Sequence, residues 1–378
     1  MMSSGPVIVF IGGILASEMV EDKSLATLPV TFMILGVAST AIPAAACARR
    51  FGRKVASYIG FVIGFIASLL AALAAYQLNF VLFTFASMLI GSCTAFVQQL
   101  RFAAIESVEN KDKIPTVLSI LMLSGIFAAF IGPEVALVGK SLIDSPKGFV
   151  GSFILLSLIV LIAMLTFICF TNPKPQKLSF DQSPRATLTI VKQPIFIISV
   201  VAAALGFALM SYVMTATPLS MHHLHGHSLN DTKWVIQSHI AAMFIPSLFT
   251  AFLVKKFGLH RLMLIGTLVY TFVALIALSG EQVVHYWWAL LLLGIGWNFL
   301  FLTGTSLLPQ SYQENEKHKV QAINDFIVFG FQAVASLLAG WVLFKAGWYG
   351  VIMSTAPFII ILFWVSWQYW RRQTRQMA

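Results

Sequence analysis

Along its 378 residues the chain gathers apolar positions into long runs and confines polar ones to short seams between them. Runs of about 16 to 29 residues recur, for example at 25–48, 55–76, 149–170, 262–280 and 351–370. A helix rises about 1.5 Å per residue, so runs of this length cross a hydrocarbon layer of ~30 Å. Twelve such runs can be read along the chain. The pattern predicts an all-α membrane protein of twelve transmembrane helices. The first run, residues 6–17, is short and needs the more polar residues 1–5 to complete a span. Either that helix is short or the natural start lies upstream. It is not read as a signal peptide, because it has neither a basic leader nor a convincing cleavage site.

Composition agrees with the pattern. Apolar residues make up 58% and charged residues 10%, against roughly 45–50% and about 25% in soluble domains. The formal charge of +10 is explained by topology. With twelve spans, eighteen Lys and Arg fall in the seams on one side, including 49–54, 174–192, 255–261 and 371–375. Five fall on the other side, and Arg101 lies within a span. By the positive-inside rule the basic side, with both termini, faces the cytoplasm of a cell inner membrane. The charge is dispersed over short loops, so it predicts contact with lipid and no nucleic-acid surface. Cys47, Cys93 and Cys169 lie in or at the ends of spans without a C-x-x-C pair, which reads as packing.

A Pro- and Lys-containing seam, PKPQKLSFDQSPRATLTIVKQP, begins at Pro173. It divides the chain into an N-terminal half (residues 1–172), a cytoplasmic linker (173–193) and a C-terminal half (194–378), each half with six spans. RRFGRK at 49–54 is echoed by KKFGLHR at 255–261, with Phe-Gly in the same place. Glycine allows the positive φ that so short a turn demands, and repetition at a fixed offset signals duplicated architecture. This layout resembles the major facilitator superfamily, and RRFGRK is similar to the end of that family's cytoplasmic motif. The motif's acidic residue falls on Arg49 here, and its first glycine on Ala45. In the family the acidic residue helps latch a cytoplasmic gate. Asp325 is the candidate substitute, pairing with Arg49, Arg50 or Arg53, or else capping its own helix. Gly132-Pro133 is a trace of the family's Gly-Pro motif. The Gly60-x-x-x-Gly64 spacing reads as a close-packing face, and the resemblance implies a substrate path between the halves.

The chemistry is concentrated on the seventh and eighth spans. Met210 and Met214 stand four apart on one, and His239 and Met243 four apart on the other, so each pair shares a helical face. Counted from the outer ends of two antiparallel helices, Met214 and His239 lie at one level and Met210 and Met243 about 6 Å deeper. The loop between them carries Met221, His222, His223, His225 and His227. Thioethers are neutral, soft ligands that suit Cu(I) or Ag(I) and not Mg, Ca or Mn. The expectation is a metal ladder of Met210, Met214, His239 and Met243, fed by an outer collector of Met221 and the four loop histidines. Singly, each spacing is a weak signal, since methionine is also an ordinary gap-filler; an ionisable residue within a span is the stronger one.

M-x-x-x-M followed by H-x-x-x-M on consecutive spans resembles the CcoA-like copper importers of bacteria, a branch of the same superfamily. The resemblance implies copper as transported substrate with no resident cofactor, uptake into the cytoplasm by alternating access, and supply to a copper oxidase such as the cbb3 type. A cytoplasmic copper chaperone is an expected partner. A neighbouring branch of riboflavin transporters is similar elsewhere in the chain. The competing expectation is therefore an importer of riboflavin or another small organic solute, held by Trp297, Asn298, Phe331 and Gln332. Arg101 and Glu134 are candidates for coupling or gating. An enzyme is not expected: H-E-x-x-H is absent, and the one histidine cluster occupies a single loop.

Overall fold

The computed structural model describes residues 2–100, 114–145, 148–171 and 185–377. Among these the regular structure is helical, with no strand. The N-terminal helices are α1 (Ser4–Ser17), α2 (Leu28–Gln77), α3 (Phe80–Gln98), α4 (Ile114–Leu142) and α5 (Val150–Thr166). After the linker come α6 (Pro194–Leu219), α7 (Leu229–Phe244), α8 (Thr250–Ser279), α9 (Val283–Leu307), α10 (Lys317–Met353) and α11 (Ala356–Met377).

Eight helical stretches among the described residues are long and apolar enough to cross a membrane, and α1 is a shorter apolar helix. Three of the long helices are broken by a glycine with positive φ: Gly52 in α2 (87°), Gly258 in α8 (69°) and Gly347 in α10 (69°). The first two are the glycines of the repeated Phe-Gly turns, where a Cβ would strain the backbone. Each of these glycines divides a long helix into two segments that turn back on one another.

Packing gives two groups that meet mainly along two seams. Helix α2 lies on α3 and α5, and α4 on α5; beyond the linker, α6 lies on α9 and α10, α7 on α9, and α8 on α9 and α11. The groups join where α2 meets α10 and where α4 meets α7. Helices α2 and α3 cross at Gly36 and Gly91, where a Cβ on either would collide with the backbone of Met88 or Met33. Small residues substitute here for the hydrophobic drive that lipid removes, by letting backbones approach closely. Gly60 likewise faces Phe96 and Cys93 of α3, as its spacing implied.

The last part of the linker is fastened to the C-terminal helices. A short helix, Thr187–Val191, buries Ile190 with Phe196, Val200, Leu308 and Val320. Arg185 donates from its backbone N and from Nε to Glu316 Oε1, both at 2.8 Å, and from Nη2 to Oε2 at 2.6 Å. Nη2 and Gln193 Nε2 also donate to the Ser311 carbonyl. The Arg185 guanidinium, with the Gln313 N–H, holds the Glu316 carboxyl down to about 2. A carboxylate whose folded pKa is depressed stabilises the fold above its unfolded pKa and loses that contribution as pH falls through the folded value. Glu316→Gln is therefore expected to lower the melting temperature of the detergent-solubilised protein at neutral pH. The difference from wild type should shrink as pH falls from about 4.5 toward about 2, which a melting series against pH reads directly.

Candidate functional site

The seams between the two groups carry polar joints toward the end that bears the histidine loop. On the α4–α7 seam, Lys233 Nζ donates to Glu134 Oε1 at 2.7 Å. Gln237, one turn along from Lys233, donates to the Phe130 carbonyl at 3.2 Å and to Glu134 at 3.4 Å. On the α2–α10 seam, Thr31 donates to Ser336 Oγ at 3.3 Å, and Gly340 leaves no room for a Cβ beside Thr27 and Ser24. His223 Nε2 shares a hydrogen bond of 2.6 Å with Ser17 Oγ at the end of α1. Lys23 donates to the Ser17 carbonyl close by. Toward the opposite end, Ala45 and Ala46 on α2 and Asp325 and Phe326 on α10 are exposed.

Next to the α4–α7 seam, one stripe of α9 holds α7. Trp287 Nε1 donates to Ser238 Oγ at 2.9 Å. His239 Nδ1 lies 2.7 Å from the Leu290 carbonyl. Gly294 lies where a Cβ would press on the carbonyl of His239 and the N–H of Met243. Asn298 Nδ2 donates to the Met243 carbonyl at 2.8 Å. The α9 positions 287, 290, 294 and 298 repeat at three and four, which is one face of a helix. A carbonyl only accepts, so Nδ1 of His239 carries the proton. In the neutral ring Nε2 is then a lone pair, and it is buried with no hydrogen-bond partner. His239 is 0% exposed. An orphaned acceptor this deep is costly unless something fills the position.

The three methionines are buried as well: Met210, Met214 and Met243. On α6, Ala203 and Gly206 meet α9 at Gly304 and Leu300, and the helical period puts Met210 and Met214 on that same side, nearer the histidine-loop end. The two pairs thus flank α9, whose outer part anchors His239. Among the described residues no group of three or more His, Cys, Asp or Glu is arranged to hold a metal ion. A metal reading therefore rests on thioethers with one imidazole.

The expected outer collector is not assembled. Met221 is 0% exposed, inside the packed core. Each loop histidine is tied to protein. His223 meets Ser17, and His222 Nδ1 meets the His227 carbonyl at 3.1 Å. His225 pairs with Glu281 at 2.9 Å and lies 3.0 Å from the Tyr286 hydroxyl. His227 donates to the Glu281 carbonyl at 2.7 Å. The reason is local: a π-helical turn at Ser220–Leu224 followed by Gly226 at φ 66° folds the loop back on α9, so the rings serve as ties.

The competing solute residues are partly regrouped. Trp297 stacks on Phe301 at 5.1 Å and 10°, with Phe207 edge-on to both at 5.2 and 5.5 Å. Phe329 closes the cluster, 6.2 Å from Phe207. Phe331, the expected stacking residue, is half-exposed; two residues along a helix is a turn of about 200°, so Phe329 points inward in its place. Gln332 is buried on α10, four residues before Ser336. Asp325 lies inside α10, not at its cap, and its Oδ1 accepts from Asn324 at 3.1 Å. Arg49 is exposed on α2, while Arg53 Nη1 donates to Gln99 at 2.9 Å. Arg101 lies outside the described residues. Sequence reasoning found Glu134 but missed Lys233 and Gln237, although their spacing of four on the eighth span was a signal.

A family model described as Major Facilitator Superfamily matches the sequence over residues 1–324 and 200–377. The riboflavin transporter RfnT of Brucella anthropi is 35% identical over 362 residues, covering 95% of this chain and 90% of that protein. Two Bacillus subtilis proteins described as uncharacterized MFS-type transporters are each 29% identical. YddS covers 96% of this chain and 87% of its own length, and YdeG 88% and 81%.

The Glu134–Lys233 pair joins the two groups at the end where they meet. Glu134→Lys and Lys233→Glu are each expected to lower transport, and the swapped double variant to recover it. A double-mutant cycle on initial rates should give a coupling of about 0.5–1 kcal/mol, roughly two- to fivefold.

Proposed function

The chain belongs to the Major Facilitator Superfamily, and we propose that it carries Cu(I) into the cytoplasm by alternating access between its N-terminal and C-terminal helix groups. The observation that carries this reading is the buried Nε2 of His239, left without a partner while Nδ1 is committed to Leu290. Metal-binding imidazoles are commonly held in this way, with the second ring nitrogen donating to a carbonyl that fixes the tautomer. Met210, Met214 and Met243, buried on α6 and α7, would supply neutral sulfur. A monovalent ion held by neutral ligands avoids a buried carboxylate, and inward movement of one charge gains about 2.3 kcal/mol per 100 mV of inside-negative potential. In this reading the joints at the histidine-loop end close the outer side, and Glu134 with Lys233 forms part of that gate.

A second reading has specific support of its own. The named relative that transports riboflavin is similar along nearly the whole chain, which favours an organic solute over a metal ion. The Trp297–Phe301–Phe207–Phe329 cluster, with the unpartnered Trp297 Nε1 and Asn298 Oδ1, offers stacking and hydrogen bonding to a flat heteroaromatic ring. In this reading the methionines are lining.

Uptake of labelled copper and, separately, of labelled riboflavin by cells expressing the chain distinguishes the two. His239→Ala, Met210→Ala, Met214→Ala and Met243→Ala are expected to lower copper uptake by about tenfold or more at unchanged protein level. Phe329→Ala and Trp297→Ala should affect it less. Riboflavin uptake that follows the aromatic substitutions, with copper uptake at the level of empty cells, would establish the second reading and overturn the first.

A further inference from the structure

Helix α7 ends one residue after Met243, and the backbone continues as a 3-10 stretch, Ile245–Phe249, that contains Pro246. The carbonyls of a last helical turn have no helical donor of their own. The Met243 carbonyl is one of these, and it receives the side-chain amide of Asn298 at 2.8 Å. The same Nδ2 lies 2.6 Å from Ser247 Oγ, in the 3-10 stretch beyond the break. Because a carbonyl accepts only, the amide is oriented with its nitrogen toward α7, and its Oδ1 is buried without a partner. Asn298 is 4% exposed. One amide thus spans the point where α7 changes pitch, with its carbonyl contact on Met243 itself. Four residues earlier on the same face, Gly294 lets the two backbones touch at His239 and Met243.

We infer that Asn298 is a positioning residue for the transported ion: it fixes the backbone at Met243, and so the direction of that thioether relative to His239 Nε2. The inference rests on the Cu(I) reading. It concerns how the ligand is held, since the amide itself stands behind Met243. Loss of the donor frees the last turn of α7 to relax toward the 3-10 geometry that follows. The methionine remains buried but is no longer held at a fixed angle. The expected signature is weaker binding with transport capacity retained.

The test is a Cu(I) titration of the purified full chain in detergent against a chromogenic Cu(I) chelator, with uptake kinetics in cells. Asn298→Leu should weaken Cu(I) binding by about 10–100-fold. It should raise the half-saturating copper concentration by a similar factor, with maximal rate and melting temperature close to wild type. Where Asn298→Leu does not accumulate, Asn298→Ala carries the same test, because it too removes the donor. Ser247→Ala removes only the second contact and should bind copper as wild type does. Affinity unchanged in both Asn298 variants, while His239→Ala and Met243→Leu weaken it, overturns the positioning role and leaves the copper reading standing. Affinity unchanged in all four overturns both. A fall in melting temperature without a change in affinity assigns Asn298 to stability alone, and also overturns the proposal.

Discussion

The hydrogen bond between the His239 ring and the Leu290 carbonyl is the constraint that orders the rest of the site. Away from water, each polar group needs a partner within the protein. The carbonyl takes one nitrogen, fixes the tautomer and turns the ring, so the second nitrogen must face the interior. Everything near it on α9 serves that geometry. Trp287 holds the preceding residue, Gly294 removes the side chain that would push α7 away, and Asn298 secures the far end. An imidazole fixed in this way is either a stored cost or a ligand. Three buried thioethers on α6 and α7 are the soft donors that the second reading calls for.

Much of the fold was legible because lipid leaves few choices. A run of about 20 apolar residues has to be helical, since no water can serve its backbone. The tight turns were legible from Phe51-Gly52 and Phe257-Gly258, whose positive φ only glycine takes easily. The site was legible in part. Spacing placed the residues of each pair on one helical face, but the ladder expectation had α6 and α7 facing each other, whereas each packs chiefly on α9. That depends on Gly294, Gly304 and Gly206, small residues that carry no chemical signal of their own. The loop histidines misled for a related reason. Four imidazoles in six residues look like a metal trap, but a π-helical turn and Gly226 set each against a different neighbour. Phe331 was the expected stacking residue, and rotation of the helix puts Phe329 in the cluster in its place.

The aromatic cluster and the sulfur–imidazole faces share α9 as their common wall. The framework of crossing helices is a packing solution, and cargo is set by a few side chains on one helix and its two neighbours.

The clamp of Arg185 and Gln193 on the Ser311–Glu316 segment has a consequence for how the molecule can be handled. Residues 185–193 are fastened to the C-terminal helices through these bonds. A reporter domain spliced in after Arg185 would wedge the clamp open and disturb the approach to α10. A label within residues 185–193 would report on the C-terminal helices to which that segment is tied.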